Sequence, residues 1–431
     1  MNSKKTRSFA SRRPTSSSVA KKTQADAAPS SLPASRASLP FAKDDWHSRL
    51  RGLPKIELHR HAEGALPLKT LWQIHQRRNL KIFHSFRAFE RLVVIPNGRQ
   101  TGFQDFLSRF LYFRFYWGEA EEIERIAGEM TTAAADDGIA HLELRFSPVF
   151  GALRMRQAPE EEKSLRNLAQ SKLANSNDQS AANRRRENKR PTLAAPFQPE
   201  YCFVKRAAEA FIEGARAAAK RRDISVSFIC SLKRDFGLRG NRKCLELLSA
   251  PTGGEFAGID LAGDETYSAK PFYDFFRRWR KKGRKATIHA GETGLWRNVS
   301  AAVKFCAADR IGHGTAAIKS PTTLALLRRR KTTLECCPTS NFQTCATNSF
   351  PAHPLKRFLR QGLSVTINTD DPTISGVTLT DEYVRGMKLC GLTANELAVV
   401  AINGVRAAFV GDKLRARLAE RIGDSWKSFI S

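Results

Sequence analysis

Acidic residues are scarce in this sequence: 431 residues hold 42 Asp and Glu against 72 Lys and Arg, a formal net charge of +30. The excess is spread along the chain, since residues 1–45 contribute +6 and residues 151–200 contribute +4, leaving about +20 elsewhere. Such a field favours anionic partners, nucleic acid among them. Solvated basic helix surface accounts for the same composition, so both readings stay open. Long apolar runs are also missing. None approaches the ~18 residues a membrane span requires. Cysteine is thin, with eight residues and no C-x-x-C pair. This speaks against a disulfide scaffold and for reduced thiols inside the cell. A cytoplasmic protein is therefore expected.

What is present is length and apolar content. Hydrophobic residues make up 41%, enough for a large core. Residues 1–45 are rich in Ser, Ala, Lys, Arg and Pro and read as a disordered basic tail. Their acid-poor, Arg/Ser-rich character also has the look of an organellar transit peptide. Residues 46–431 read as one domain, interrupted by a low-complexity, flexible loop insertion at 151–200 that contains SNDQSAANRRRENKR. Elsewhere short β-branched runs alternate with amphipathic stretches. The predicted strands are 55–59, 141–146, 224–230, 256–261, 285–290, 309–313, 332–337 and 364–369. Eight strands alternating with helices predict an α/β fold of the (β/α)₈ TIM-barrel type. An open doubly wound sheet has no reason to stop at eight strands, and no G-x-G-x-x-G follows the first.

Ionisable residues gather at the C-terminal ends of these strands, the face on which such barrels build active sites. His59 and His61 are two apart, so a strand turns both to one face. Imidazoles so paired suit Zn²⁺, and His289 and Asp370 at other strand ends can complete a ligand set. Four of nine histidines (His59, His61, His289 and His313) fall at strand ends. Glu292, three residues after His289, is placed for acid–base work. His313 lies between glycines that let its ring approach a ligand. Asp370 and Asp371 are adjacent carboxylates whose repulsion a cation relieves. Pro372 equally fits a helix start with Asp371 as an exposed cap. Cys336 and Cys337 read as core packing, and the Phe-rich stretch 106–117 as helix core that can also roof an apolar pocket.

Together KIELHRHAEGAL, HLELRFSP, GIDLAGDE, HAGETG, RIGHG, CPTSN and NTDDP resemble the adenosine deaminase family of metal-dependent hydrolases, over roughly residues 50–410 without 151–200. The resemblance implies one Zn²⁺ held by His59, His61, His289 and Asp370. It implies catalytic roles for Glu292, as the acid that protonates purine N1, for His313, which orients the attacking water, and for Asp371. It implies that a purine nucleoside meets His61, Glu63, Gly263 (through its N–H, at N3) and Asp371. The implied reaction is adenosine to inosine plus ammonia. Glu63 and Ala62 depart from the family's H-x-H-L-D-G, in which the aspartate contacts the ribose. Adenine or another aminopurine is thus an alternative substrate, a nucleotide is compatible with the basic surface, and a basic nucleic-acid-binding barrel without catalysis is a third reading. The other zinc deaminase class, with H-x-E and P-C-x-x-C, is not matched.

Overall fold

In a computed structural model of the protein the described residues are 45–113, 116, 119–149, 159–175 and 200–431. Among them eight strands form one parallel sheet in chain order: β1 (Lys55–His61), β2 (Ile139–Phe146), β3 (Ser225–Lys233), β4 (Phe256–Ala262), β5 (Lys285–Ala290), β6 (Arg310–His313), β7 (Thr333–Cys336) and β8 (Val365–Ile367). The expected (β/α)₈ barrel is the architecture found. Strand residues are buried almost throughout, because helices cover the outer face of a parallel sheet and side chains fill the inside. β8 meets β1 at a single bridge between Arg60 and Asp370. There the His61 N–H donates to the Asp370 carbonyl and the Asp370 N–H donates to the His59 carbonyl, both at 2.8 Å. β8 stops two residues short of its expected end. Beyond it the Asn368 side chain takes over the pairing, accepting from the Leu58 N–H at 3.1 Å.

The outer layer follows local rules. Ser85, Ser320, Thr378 and Thr393 cap their helices through the side chain, the two threonines within full capping boxes. The helices Ala120–Asp136 and Tyr201–Arg221 lie so close that a Cβ on Gly214 would stand 2.1 Å from the Glu124 carbonyl oxygen. The aromatic stretch after residue 102 breaks into the short helices Phe103–Ser108 and Phe110–Phe113, and it buries Phe106, Tyr112, Phe113 and Tyr116 in the core.

Of the tail read at 1–45, only Asp45 is described, as the first residue of the helix Asp45–Gly52. The stretch 151–200 holds a helix, Pro159–Asn175, where an irregular loop was expected. Its Leu165 and Ala169 are buried, and Lys172 reaches Asp105 and Ser108. Two apolar anchors one helical turn apart give it a docking face that composition alone conceals. All eight cysteines are free. No helix among the described residues is long and apolar enough to cross a membrane.

The barrel interior is ionic as well as apolar. Glu335 on β7 pairs with Arg310 (2.6 Å) and accepts from Arg145 (2.9 Å), Arg310 also meets Glu143 (2.6 Å), and Arg145 reaches Asp260 (3.4 Å). All five side chains are essentially sealed from solvent. Such charges survive burial only when each is met by an opposite one and by hydrogen bonds. This network forms the floor beneath the residues described next.

Candidate active site

The strand-end residues converge at the C-terminal mouth of the barrel. The His61 Nε2 lies 3.0 Å from the His289 Nε2 and 3.5 Å from the Asp370 Oδ1, and the His59 Nε2 lies 3.2 Å from the same oxygen. Ligands of a tetrahedral zinc with bonds of about 2.0–2.1 Å sit about 3.3–3.4 Å apart. The group that gathers around Asp370 has His313 where His61 was expected: ligand atoms of His59, His289, His313 and Asp370 all fall within 4.8 Å of one another, whereas His61 groups with His289 and Asp260.

Proton placement shows what the cluster accommodates. The His59 Nδ1–H donates to Glu335 at 2.7 Å and the His289 Nδ1–H donates to Asp260 at 2.9 Å. With each ring neutral, both Nε2 atoms present lone pairs to the centre. The His59 Nε2 is buried without a hydrogen-bond partner. A proton on His61 would satisfy one nitrogen pair and leave that atom bare. Converging lone pairs and a carboxylate are stable around a cation, so the group fits a metal ion. Carboxylates behind metal-binding imidazoles fix their tautomer and raise their basicity. Glu335 and Asp260 are thus positioning residues that sequence reasoning left without a role. The available signal was a carboxylate inside an otherwise apolar strand, in TLECC and FAGIDL.

The CPTSN segment supplies two further supports. The Ser340 hydroxyl donates to the second Asp370 oxygen at 2.7 Å. The Asn341 side-chain oxygen accepts from the Cys337 N–H (3.4 Å) and faces the His353 Nε2 (3.0 Å). Its amide NH₂ therefore donates to the His313 Nδ1 at 3.0 Å, which leaves the His313 proton on Nε2, directed into the site. His313 and Asp370 both hold left-handed backbone, φ 63° and 65°, a conformation uncommon for non-glycine residues. A Cβ on Gly312 would come within 2.9 Å of the His59 ring, so the glycine before His313 makes room for the imidazoles.

Glu292 stands 3.5 Å from the His313 Nε2. Burial pushes its carboxyl well above the usual range, and the charges of Asp370 and Glu265 push the same way. Its backbone is clamped: both Glu265 oxygens accept, from the N–H of Gly291 and of Glu292, each at 2.7 Å. Asp371 begins the helix Pro372–Ser375 but makes no cap hydrogen bond. It is buried and its Oδ1 has no partner, which discards the reading of an exposed cap. Burial raises its carboxyl well above the usual range, Asp370 adds to this, and Lys233 opposes it. Glu63 is buried too. Its Oε1 accepts from the Ser147 N–H at 2.7 Å, while its Oε2 has no partner. Gly263 has φ 95°, and the unpartnered Asp235 Oδ1 occupies the space a side chain there would need. Cys336 and Cys337 are buried, and no cysteine joins a cluster of metal-ligand type among the described residues.

An eight-stranded barrel carrying a buried His/Asp cluster that fits a metal, with an acid beside it, defines the class as a barrel protein with a candidate metal centre. Comparison with known proteins narrows this. The sequence matches the adenosine deaminase family over residues 54–174 and 191–425, so the chain belongs to that family. Of the stretch set apart as an insertion, only 175–190 falls outside the internal match. An adenosine deaminase of Enterococcus faecalis is 31% identical over 380 residues, spanning 88% of this chain and 98% of the relative. Among solved structures, a zinc-bound amidohydrolase from Burkholderia ambifaria superposes with a TM-score of 0.72 at 23% identity, covering 92% of this chain and 96% of the other. The adenine deaminase of Arthrobacter aurescens gives 0.67 at 20% identity, covering 87% and 99%. These two likenesses concern the fold.

Proposed function

We propose that the protein is a zinc-dependent deaminase that converts adenosine to inosine and ammonia. The observation that carries this is the cluster itself: imidazoles gather around Asp370, with Glu292, whose carboxyl is pushed upward by burial, beside them. A zinc ion held by His59, His61, His289 and Asp370 supplies a Lewis acid that makes water nucleophilic near neutral pH.

The protein's own groups do the rest. The Gly263 N–H takes ring N3. Glu292 gives its proton to ring N1, which withdraws electrons from C6 and opens it to attack. His313 directs its Nε2–H at the attacking oxygen and stabilises the charge there. Asp371 accepts hydrogen bonds from the water and the purine. A proton given up by the attacking water passes to the exocyclic nitrogen, the C6–N bond breaks and ammonia leaves. The Glu63 oxygen left without a partner receives a sugar hydroxyl. A buried carboxylate oxygen without one is costly, and this favours a nucleoside over the free base. The family position at which Glu63 replaces aspartate is the feature that favours adenine instead.

The test is a substrate panel of adenosine, adenine and AMP with metal analysis on the same sample. Turnover of adenosine above adenine, abolished by chelation and restored by zinc, is the expected result. A flat trace on all three with zinc-loaded protein overturns the proposal. Salt-sensitive nucleic-acid binding in place of turnover would instead support the non-catalytic reading.

A further inference from the structure

A second chamber adjoins the acid. A cavity of about 550 Å³ opens between the loops that follow β5, β6 and β7, with Glu292 at its inner end. That volume lies within the roughly 300–1,000 Å³ of small-molecule sites. Its walls include Thr293 and Thr347. Both hydroxyl oxygens are buried without a hydrogen-bond partner, and Thr347 as a whole is 8% exposed. Lys319 and Arg357 stand in the lining at its exposed end, and neither is paired with a carboxylate among the described residues. Buried hydroxyls are normally satisfied, and each exception calls for an explanation. Here a polar ligand group supplies one.

The order of the barrel says which part of a substrate points there. Around a purine the perimeter runs N3, C2, N1, C6, and the exocyclic nitrogen is carried on C6. Around the barrel the proposed contacts run in the same sense: Gly263 after β4, Glu292 after β5, His313 at the end of β6. The exocyclic nitrogen then faces the sector of β6 and β7, where this cavity lies. An unsubstituted amino group needs none of the space.

We infer that the cavity receives a substituent on the exocyclic nitrogen that ends in a carboxylate. The substrate class is the N6-(carboxyalkyl)aminopurines. This rests on the purine-deaminase reading of the site. The two threonine hydroxyls donate to oxygens of the terminal group, and Lys319 and Arg357 meet its charge. The reaction is balanced without any added reagent. Water adds its oxygen to C6, the C6–N6 bond breaks, and N6 leaves with its substituent as a primary amine in place of ammonia.

The experiment compares adenosine, N6-methyladenosine, N6-(2-carboxyethyl)adenosine and the neutral N6-(2-carbamoylethyl)adenosine. Both the oxopurine and the released amine are measured on zinc-loaded protein. Binding of the same compounds to metal-free protein is followed by calorimetry. The carboxyethyl compound is expected to bind and to be hydrolysed about tenfold better than its amide, as two partly exposed ion pairs allow. In Lys319→Ala/Arg357→Ala that ratio falls to near one. In Thr347→Val both chain-bearing compounds bind more weakly relative to adenosine. Hydrolysis of adenosine with no binding or hydrolysis of the carboxyethyl compound overturns the cavity assignment and leaves the deaminase reading standing. So does a carboxylate preference that survives the double variant. Failure of every purine to bind and react overturns both.

Discussion

The Asp371 carboxylate rests on Gly64: a Cβ built at position 64 would lie 1.8 Å from its Oδ1. The loop after β1 is therefore glycine at this point so that an acid from the far end of the chain can lean over the site. Gly64→Ala must push Asp371 away. Displacement of a reacting group by about 1 Å costs on the order of 10²-fold in rate. The expected result is a loss of that order in kcat/KM for adenosine with metal content retained, measured by steady-state kinetics and metal analysis.

Glu335 holds His59 from one side and Arg145 and Arg310 from the other. Glu335→Gln leaves two buried guanidinium groups short of a counter-charge and removes the carboxylate behind a ligand. Stability should fall by about 3–5 kcal/mol in denaturant titration. Zinc affinity, measured by chelator competition, should fall about 10- to 100-fold.

Ser340 and Asn341 are neighbours with separate targets, one holding Asp370 and the other His313. Ser340→Ala should weaken zinc by about tenfold, with activity recovered at saturating metal. Asn341→Ala frees the His313 tautomer. It should lower kcat by about 10²-fold in a way that added zinc does not rescue. The same loss from both, with the same response to zinc, would show that the two act as one unit.

Glu382 reports on pH away from the metal cluster. It is buried against Arg385 and accepts from the Thr339 N–H at 3.1 Å. Burial, opposed by Arg385, raises its carboxyl from 4.5 to about 7. A folded value above the unfolded one means that the protonated side chain adds stability below pH 4.5, and that this is lost as pH rises through about 7. The contribution is on the order of 3 kcal/mol. Glu382→Gln has no such loss, so its melting temperature relative to the parent protein should rise from pH 4.5 to about 7 and level off above that. A constant offset across that range would rule out this titration.

Removing the metal should leave the barrel folded but less stable. Metal that binds only the folded chain adds stability by mass action, about 2.7 kcal/mol at a hundredfold excess over its dissociation constant. Scanning calorimetry with and without a chelator checks this. The melting temperature should return on zinc addition together with activity.

The residues brought together here were legible in the sequence one strand at a time. Alternation places His59 and His61 on one face, strand ends collect His289, His313 and Asp370, and eight such strands imply a barrel. Those inferences need only the period of a strand and the side on which barrels keep their chemistry. The helix Pro159–Asn175 was missed because its few apolar anchors lie within a polar, low-complexity stretch.

What the chain by itself determined, then, is which residue types stand at which strand ends, since strand geometry is local. Only the closed barrel decided their partners. Glu335 lies 276 residues from His59, and Asp260 lies 29 from His289. The backbone of Asp370 completes the ring by pairing with β1. The polarity of a buried carboxylate is visible in a sequence. Which imidazole it orients is fixed by packing across the barrel, where hydrogen bonds a few ångströms long join segments far apart in the chain.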